Sequence, residues 1–112
     1  MTDPSQAMVR KVAGAAFPAP DNLESAMALL VAAGTSPRIQ LAVLKLSEGD
    51  LDRLAHYAEV AQQDFRDVLA WAEYPGAMRR GPGLPPKEAA QIRQRDRAQY
   101  EEWLERADDS AA

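Results

Sequence analysis

Asp52, His56 and Glu59 stand at i, i+4 and i+7, so a helix would carry all three on one face. A carboxylate beside an imidazole can orient the ring as a general base, and the same three groups can ligate a metal. Both uses need a pocket or further ligands, which one convex helix does not supply. The face also lies roughly 170° from the apolar seam of the same stretch, at about 100° per residue. It reads as a solvated acidic face, and no catalytic residue or metal ligand is assigned. The single histidine accompanies no G-x-S-x-G signature. The absence of cysteine excludes disulfides, thiolate nucleophiles and cysteine-based zinc or iron–sulfur sites. No cofactor is expected.

Two further sets could make contacts rather than do chemistry. Arg79, Arg80, Lys87, Arg93, Arg95 and Arg97 form a basic stretch over 79–97 that could touch phosphates. It has no interleaved aromatics on which bases could stack, and GxxxxGK[ST] is absent. Pairing with the acidic remainder of the chain, or of a second subunit, is the competing use of those charges. The other set is aromatic and aliphatic: Tyr57, Val60 and Trp71 in one stretch, Ile92, Tyr100 and Trp103 in another. Aromatic anchors carry a disproportionate share of binding energy, so these six are the expected interaction surface. Either set could equally be covered by the chain's own helices.

The elements that must hold these residues are helical. Asp21 followed by Glu24 is a capping-box pattern, Leu23, Met27, Leu30 and Val31 recur at helical spacing, and Gly34 suits the helix end. A second helix opens at Ser36-Pro37. It is apolar over most of its surface, with Arg38, Gln40 and Lys45 as the polar breaks, and so belongs in the middle of a bundle. Asp50 caps a third. Leu51, Leu54, Ala58, Ala61, Phe65, Val68 and Ala72 step by threes and fours, which argues for one helix from Leu51 to about Tyr74. A break at Asp64, which could cap a further helix, is the alternative. Proline and glycine crowd residues 75–86, among them Gly81 and Pro82. A long last helix then runs from about Pro86 to Ala107, with Ala89, Ile92, Tyr100, Trp103 and Ala107 on one stripe that Asp96 interrupts.

The division expected from this reading is a flexible Ala/Pro-rich tail over 1–20, a three-helix antiparallel unit over 21–75, a hinge over 76–86, and a C-terminal helix with an acidic tail over 87–112. The fold class is all-α. Net charge is −4 over 112 residues and is unevenly spread. Residues 21–75 hold nine acids against four bases, residues 76–100 two acids against six bases, and residues 101–112 five acids against one base. The acidic opening Asp50-Leu51-Asp52-Arg53 would repel phosphates, which argues against a DNA-reading helix-turn-helix. No run is long enough to span a membrane, and no convincing signal peptide precedes the first helix, so a cytoplasmic protein is expected.

A unit of about 55 residues is near the lower limit for independent stability. The last helix packing back, or a second subunit, would complete it, and a homodimer is expected. The leading functional reading is a small non-enzymatic helical interaction or regulatory protein with a protein partner. An accessory nucleic-acid-associated protein using the basic stretch is the alternative, and a small ligand- or metal-binding helical enzyme the third.

Overall fold

The computed structural model describes residues 5–34, 36–80 and 83–110, with side chains as far as Arg106. Gly81, Pro82 and the side chain of Ala107, named above, lie outside the described residues. The chain is all-α, as its composition requires. Its helices are α1 (Gln6–Ala16), α2 (Pro20–Ala33), α3 (Pro37–Ser47), α4 (Leu51–Gln63), α5 (Phe65–Glu73), α6 (Pro75–Arg80) and α7 (Pro86–Ser110).

Residues 6–16, expected to belong to a tail, are instead a core helix. Ser5 caps α1 by accepting from the Met8 backbone N–H at 3.3 Å. Val9, Val12, Ala13 and Phe17 then fall on one face and are buried. The next helix starts differently from the expected capping box. Pro20 holds its first position, and no side chain caps it. Val31, placed on its apolar stripe by spacing, is 69% exposed, while Ala26, Leu30 and Ala33 are buried.

The central position expected for the second sequence helix is held by α3, which runs beside α1, α2, α4 and α5. Leu41, Ala42, Val43 and Leu44 are buried there. Gln40 is buried too and serves the preceding helix. Its Nε2 donates to the carbonyls of Leu30 at 3.1 Å and Gly34 at 2.7 Å, which satisfies the open end of α2. Beyond α3, Asp50 caps α4 by accepting from the N–H groups of Asp52 and Arg53.

The long third helix expected from the seven-residue seam is two helices. Asp64 has extended backbone (φ −151°, ψ 93°), which ends α4, and its carboxylate accepts from the Arg66 N–H to open α5. Leu54, Ala58, Ala61, Val68 and Ala72 stay buried across the break, but Phe65 drops out of the seam and is 47% exposed. A short helix, α6, also occupies part of the segment expected to be a hinge.

The last helix packs back onto its own chain. It runs beside α1, α5 and α6, and Tyr100, Trp103 and Leu104 rest against the core. Among the described residues no helix is long and apolar enough to cross a membrane.

Candidate functional site

Asp96, at the centre of the α7 stripe, is the residue that closes α7 onto the rest of the fold. Only 4% of it is exposed, and its two oxygens each accept a backbone N–H at 3.0 Å, Oδ1 from Gly76 and Oδ2 from Ala77. Those N–H groups open α6 and have no helical partner of their own. A carboxylate on one helix thus caps another. Glycine at 76 is required by this approach, because a Cβ there would lie 2.7 Å from Asp96 Oδ1.

Behind this cap is a cluster of polar side chains contributed by α3, α5 and α7. Arg38 forks onto Glu73, Nε to Oε2 at 2.9 Å and NH2 to Oε1 at 2.7 Å. The hydrogen bond to Glu73 raises the Arg38 guanidinium above its ordinary value, more than burial lowers it. Lys45 donates to the Ala72 carbonyl and lies 5.5 Å from the Tyr100 ring centre. Burial pulls its ammonium below the ordinary lysine value, opposed by Asp96 and Glu73. Burial, assisted by Glu73 and opposed by Arg38, pushes the Tyr100 hydroxyl well above the ordinary tyrosine range. A phenol so held is a poor nucleophile and a poor base. The cluster's cations already hold a carboxylate, a carbonyl and a ring, so its chemistry is that of a clamp between helices rather than of a reaction centre.

Of the six residues expected to form an interaction surface, the structure separates two groups. Tyr100 and Trp103 have ring centres 5.6 Å apart and pack inward, so their apolar area is largely taken up within the chain. Ile92 is half-buried and lines an open groove of about 530 Å³ with Arg80, Arg95 and Gln99. Tyr57, Val60 and Trp71 are the other group. They sit on α4 and α5, and α7 does not run beside α4 among the described residues. Tyr57 and Val60 rest half-buried on the core, whereas Trp71 is 37% exposed. The Tyr57 ring meets Trp71 edge-on at 6.4 Å and His56 at 5.1 Å, and the Arg53 guanidinium lies 5.9 Å from it. This row is presented to solvent by two helices meeting at Asp64.

Asp52, His56 and Glu59 are all exposed on α4. Among the described residues no group of three His, Asp or Glu side chains is arranged to hold a metal. Arg79 and Arg80 are exposed in the last turn of α6, and Arg93, Arg95 and Arg97 are exposed on α7. Arg97 approaches Glu101 at 3.5 Å. Arg79, Arg80, Arg93 and Arg95 have no ion-pair partner among the described residues.

The Asp96–Gly76 cap and the Arg38–Glu73 fork escape a reading by periodicity, which counts Asp96 as a flaw in a stripe and Arg38 as a break in an apolar helix. One signal was available: an acid centred on an apolar helical stripe is costly to bury unless donors meet it. The exposure of Trp71 had none, since it depends on where α7 comes to rest. No protein-family model, curated protein or solved structure matches this chain.

Proposed function

We propose that this protein is a small non-enzymatic helical interaction module whose contact surface is the α4–α5 row of Tyr57, Val60 and Trp71. The observation that carries the reading is the position of Trp71. It is 37% exposed beside the edge of Tyr57, which sits on α4, a helix that α7 does not run beside among the described residues. Large aromatics held rigidly at a surface add apolar area at little entropic cost on binding, which is why they recur as anchors. The clamp between helices supports this division of labour. It holds α7 beside α1, α5 and α6 and away from α4, which carries Tyr57 and Val60.

Site-specific photo-crosslinking tests the reading. A photoreactive residue replacing His56, which is exposed and touches Tyr57, gives a discrete adduct in the cells that make the protein. The same residue replacing exposed Glu24 on α2 gives none, and Trp71→Ala removes the His56 adduct. The reading fails if no adduct forms at position 56 with any protein, this chain included.

A further inference from the structure

The α4–α5 row and the α6–α7 surface are complementary in charge, and no ion pair joins them within one chain among the described residues. On the first the carboxylates are three: Asp67 stands one turn before Trp71 on the same helix face, and Asp52 and Glu59 lie further round α4. All three are exposed, and none has an ion-pair partner among the described residues. On the second, Met78 is 44% exposed and is followed directly by Arg79 and Arg80. Arg80 shares a groove with Arg95 and Ile92. The Tyr57 ring is already met by the Arg53 guanidinium, which leaves the exposed Trp71 ring beside Asp67 to take the Met78 sulfur, with guanidinium to carboxylate at the rim.

From this we infer that the occupant of the α4–α5 row is the Met78–Arg80 turn, with Arg95, of a second copy of this chain, docked head to tail. The inference rests on the interaction-module reading and names its partner. The two surfaces differ, so the contact is heterologous: each copy offers one donor turn and one acceptor row. Association therefore either closes into a ring or continues as an open chain. Arginine at the donor turn also sets the salt response, because exposed pairs are screened as ionic strength rises.

Light scattering coupled to size exclusion on the full chain reads the result. The chain associates at low salt, and association weakens on the order of tenfold near 1 M salt, as two or three exposed ion pairs imply. Trp71→Ala removes the acceptor and Arg79→Glu with Arg80→Glu removes the donor. Each variant alone is monomeric, and an equimolar mixture gives a complex of two chains that grows no further. All three positions are solvent-facing, and circular dichroism of each variant matches the parent. A chain monomeric at every salt concentration, a dimer that persists in both variants, or a mixture that does not associate overturns the inference. So does a cationic turn that shifts duplex DNA or RNA while leaving the chain monomeric. A position-56 adduct with another protein alone overturns the second-copy assignment and leaves the module reading standing, whereas no adduct of any kind overturns both.

Discussion

Asp96 is worth most at the scale of single residues, because one side chain ends one helix and fixes the position of another. With both oxygens accepting backbone N–H groups and 4% of the residue exposed, Asp96→Ala leaves two donors unmet and costs about 2 kcal/mol in urea unfolding. Gly76→Ala has two opposed effects. Alanine is the better helix former by about 0.8–1 kcal/mol, but its Cβ would sit 2.7 Å from Asp96 Oδ1 and push the carboxylate off both donors. The second effect wins in the parent, so Gly76→Ala destabilises by about 1 kcal/mol, net of the helical gain. In the Asp96→Ala background the clash is absent, and the same substitution is neutral or stabilising. A double-mutant cycle reads that change of sign directly. Tyr100 supplies a pH signature. Its folded value lies above the ordinary 10.0, so above pH 10 the unfolded chain loses the phenolic proton before the folded chain does. Stability from this group is present below pH 10 and falls as pH rises toward the folded value. Lys45 has the opposite sign: its lowered value adds stability as pH climbs toward 10.5. Tyr100→Phe therefore flattens the alkaline decline beyond pH 10 while leaving the rise below it in place, as followed by thermal unfolding across pH 8–12.

Asp64 decides the architecture at the scale of elements. It closes α4 and opens α5, its carboxylate accepting from the Arg66 N–H at 3.1 Å. Asp64→Ala removes that cap and costs about 1 kcal/mol in urea unfolding, with α5 fraying first in amide exchange. Asp50→Ala, which uncaps α4 at the Asp52 and Arg53 N–H groups, has a similar cost and gives the scale. In the sequence the seam from Leu51 to Ala72 steps by threes and fours without a gap, and for that reason periodicity alone reads a single helix, although Phe65 leaves the seam in the fold. The stagger of threes and fours records which residues face the core, not whether the backbone between them is continuous. Asp64 itself, a strong capping residue with Asp67 three places on, was the local mark of the break. A similar lesson applies to α1. Alanine and proline content suggests a tail, yet Ser5 followed by Val9, Val12, Ala13 and Phe17 is a cap and an apolar face. Composition averaged over 20 residues hid a pattern that runs only from Ser5 to Phe17. What spacing did reveal was α3 as the central helix, the Asp50 cap, the Pro37 and Pro86 starts and the long α7, because each depends on local chemistry. What it could not reveal was every contact between helices far apart in sequence, such as Arg38 to Glu73 and Asp96 to Gly76.

At the scale of the whole molecule the question is what the 25-residue α7 does for a chain in which α1, α2, α4 and α5 already surround α3. Most of its surface is polar, and its hold on the fold is narrow: the Asp96 cap, Tyr100 beside Lys45, and Trp103 with Leu104 against the core. Trp103 walls a cleft of about 340 Å³ with Val12, Ala16 and Leu44, so removing it opens that side of the core to water. Tyr100, Trp103 and Leu104 are only partly buried, which puts their joint apolar contribution at about 3–5 kcal/mol. Loss of the Asp96 bonds to α6 adds to that. A truncation ending at Gly76 should therefore lose a large part of the 5–15 kcal/mol typical of a small domain. Because α7 packs on its own chain, the loss is intramolecular. The melting temperature of the truncated chain falls and does not recover as protein concentration is raised. A truncated chain that regains the parent's stability at high concentration would show instead that a second copy supplies what α7 supplies here. The self-association proposed through Met78 and Trp71 is a separate event, because it uses exposed side chains of α5 and α6 rather than the face of α7 that packs on the core. Arg79→Glu with Arg80→Glu, which abolishes the proposed docking, is thus expected to leave the melting temperature of the dilute monomer within about 2–4 °C of the parent, as surface substitutions within about 0.5 kcal/mol imply. The truncation lowers it by ten degrees or more, at about 4–8 °C per kcal/mol for a domain of this size. Measuring both variants across a hundredfold range of concentration separates the helix that completes the fold from the surface that joins one fold to the next.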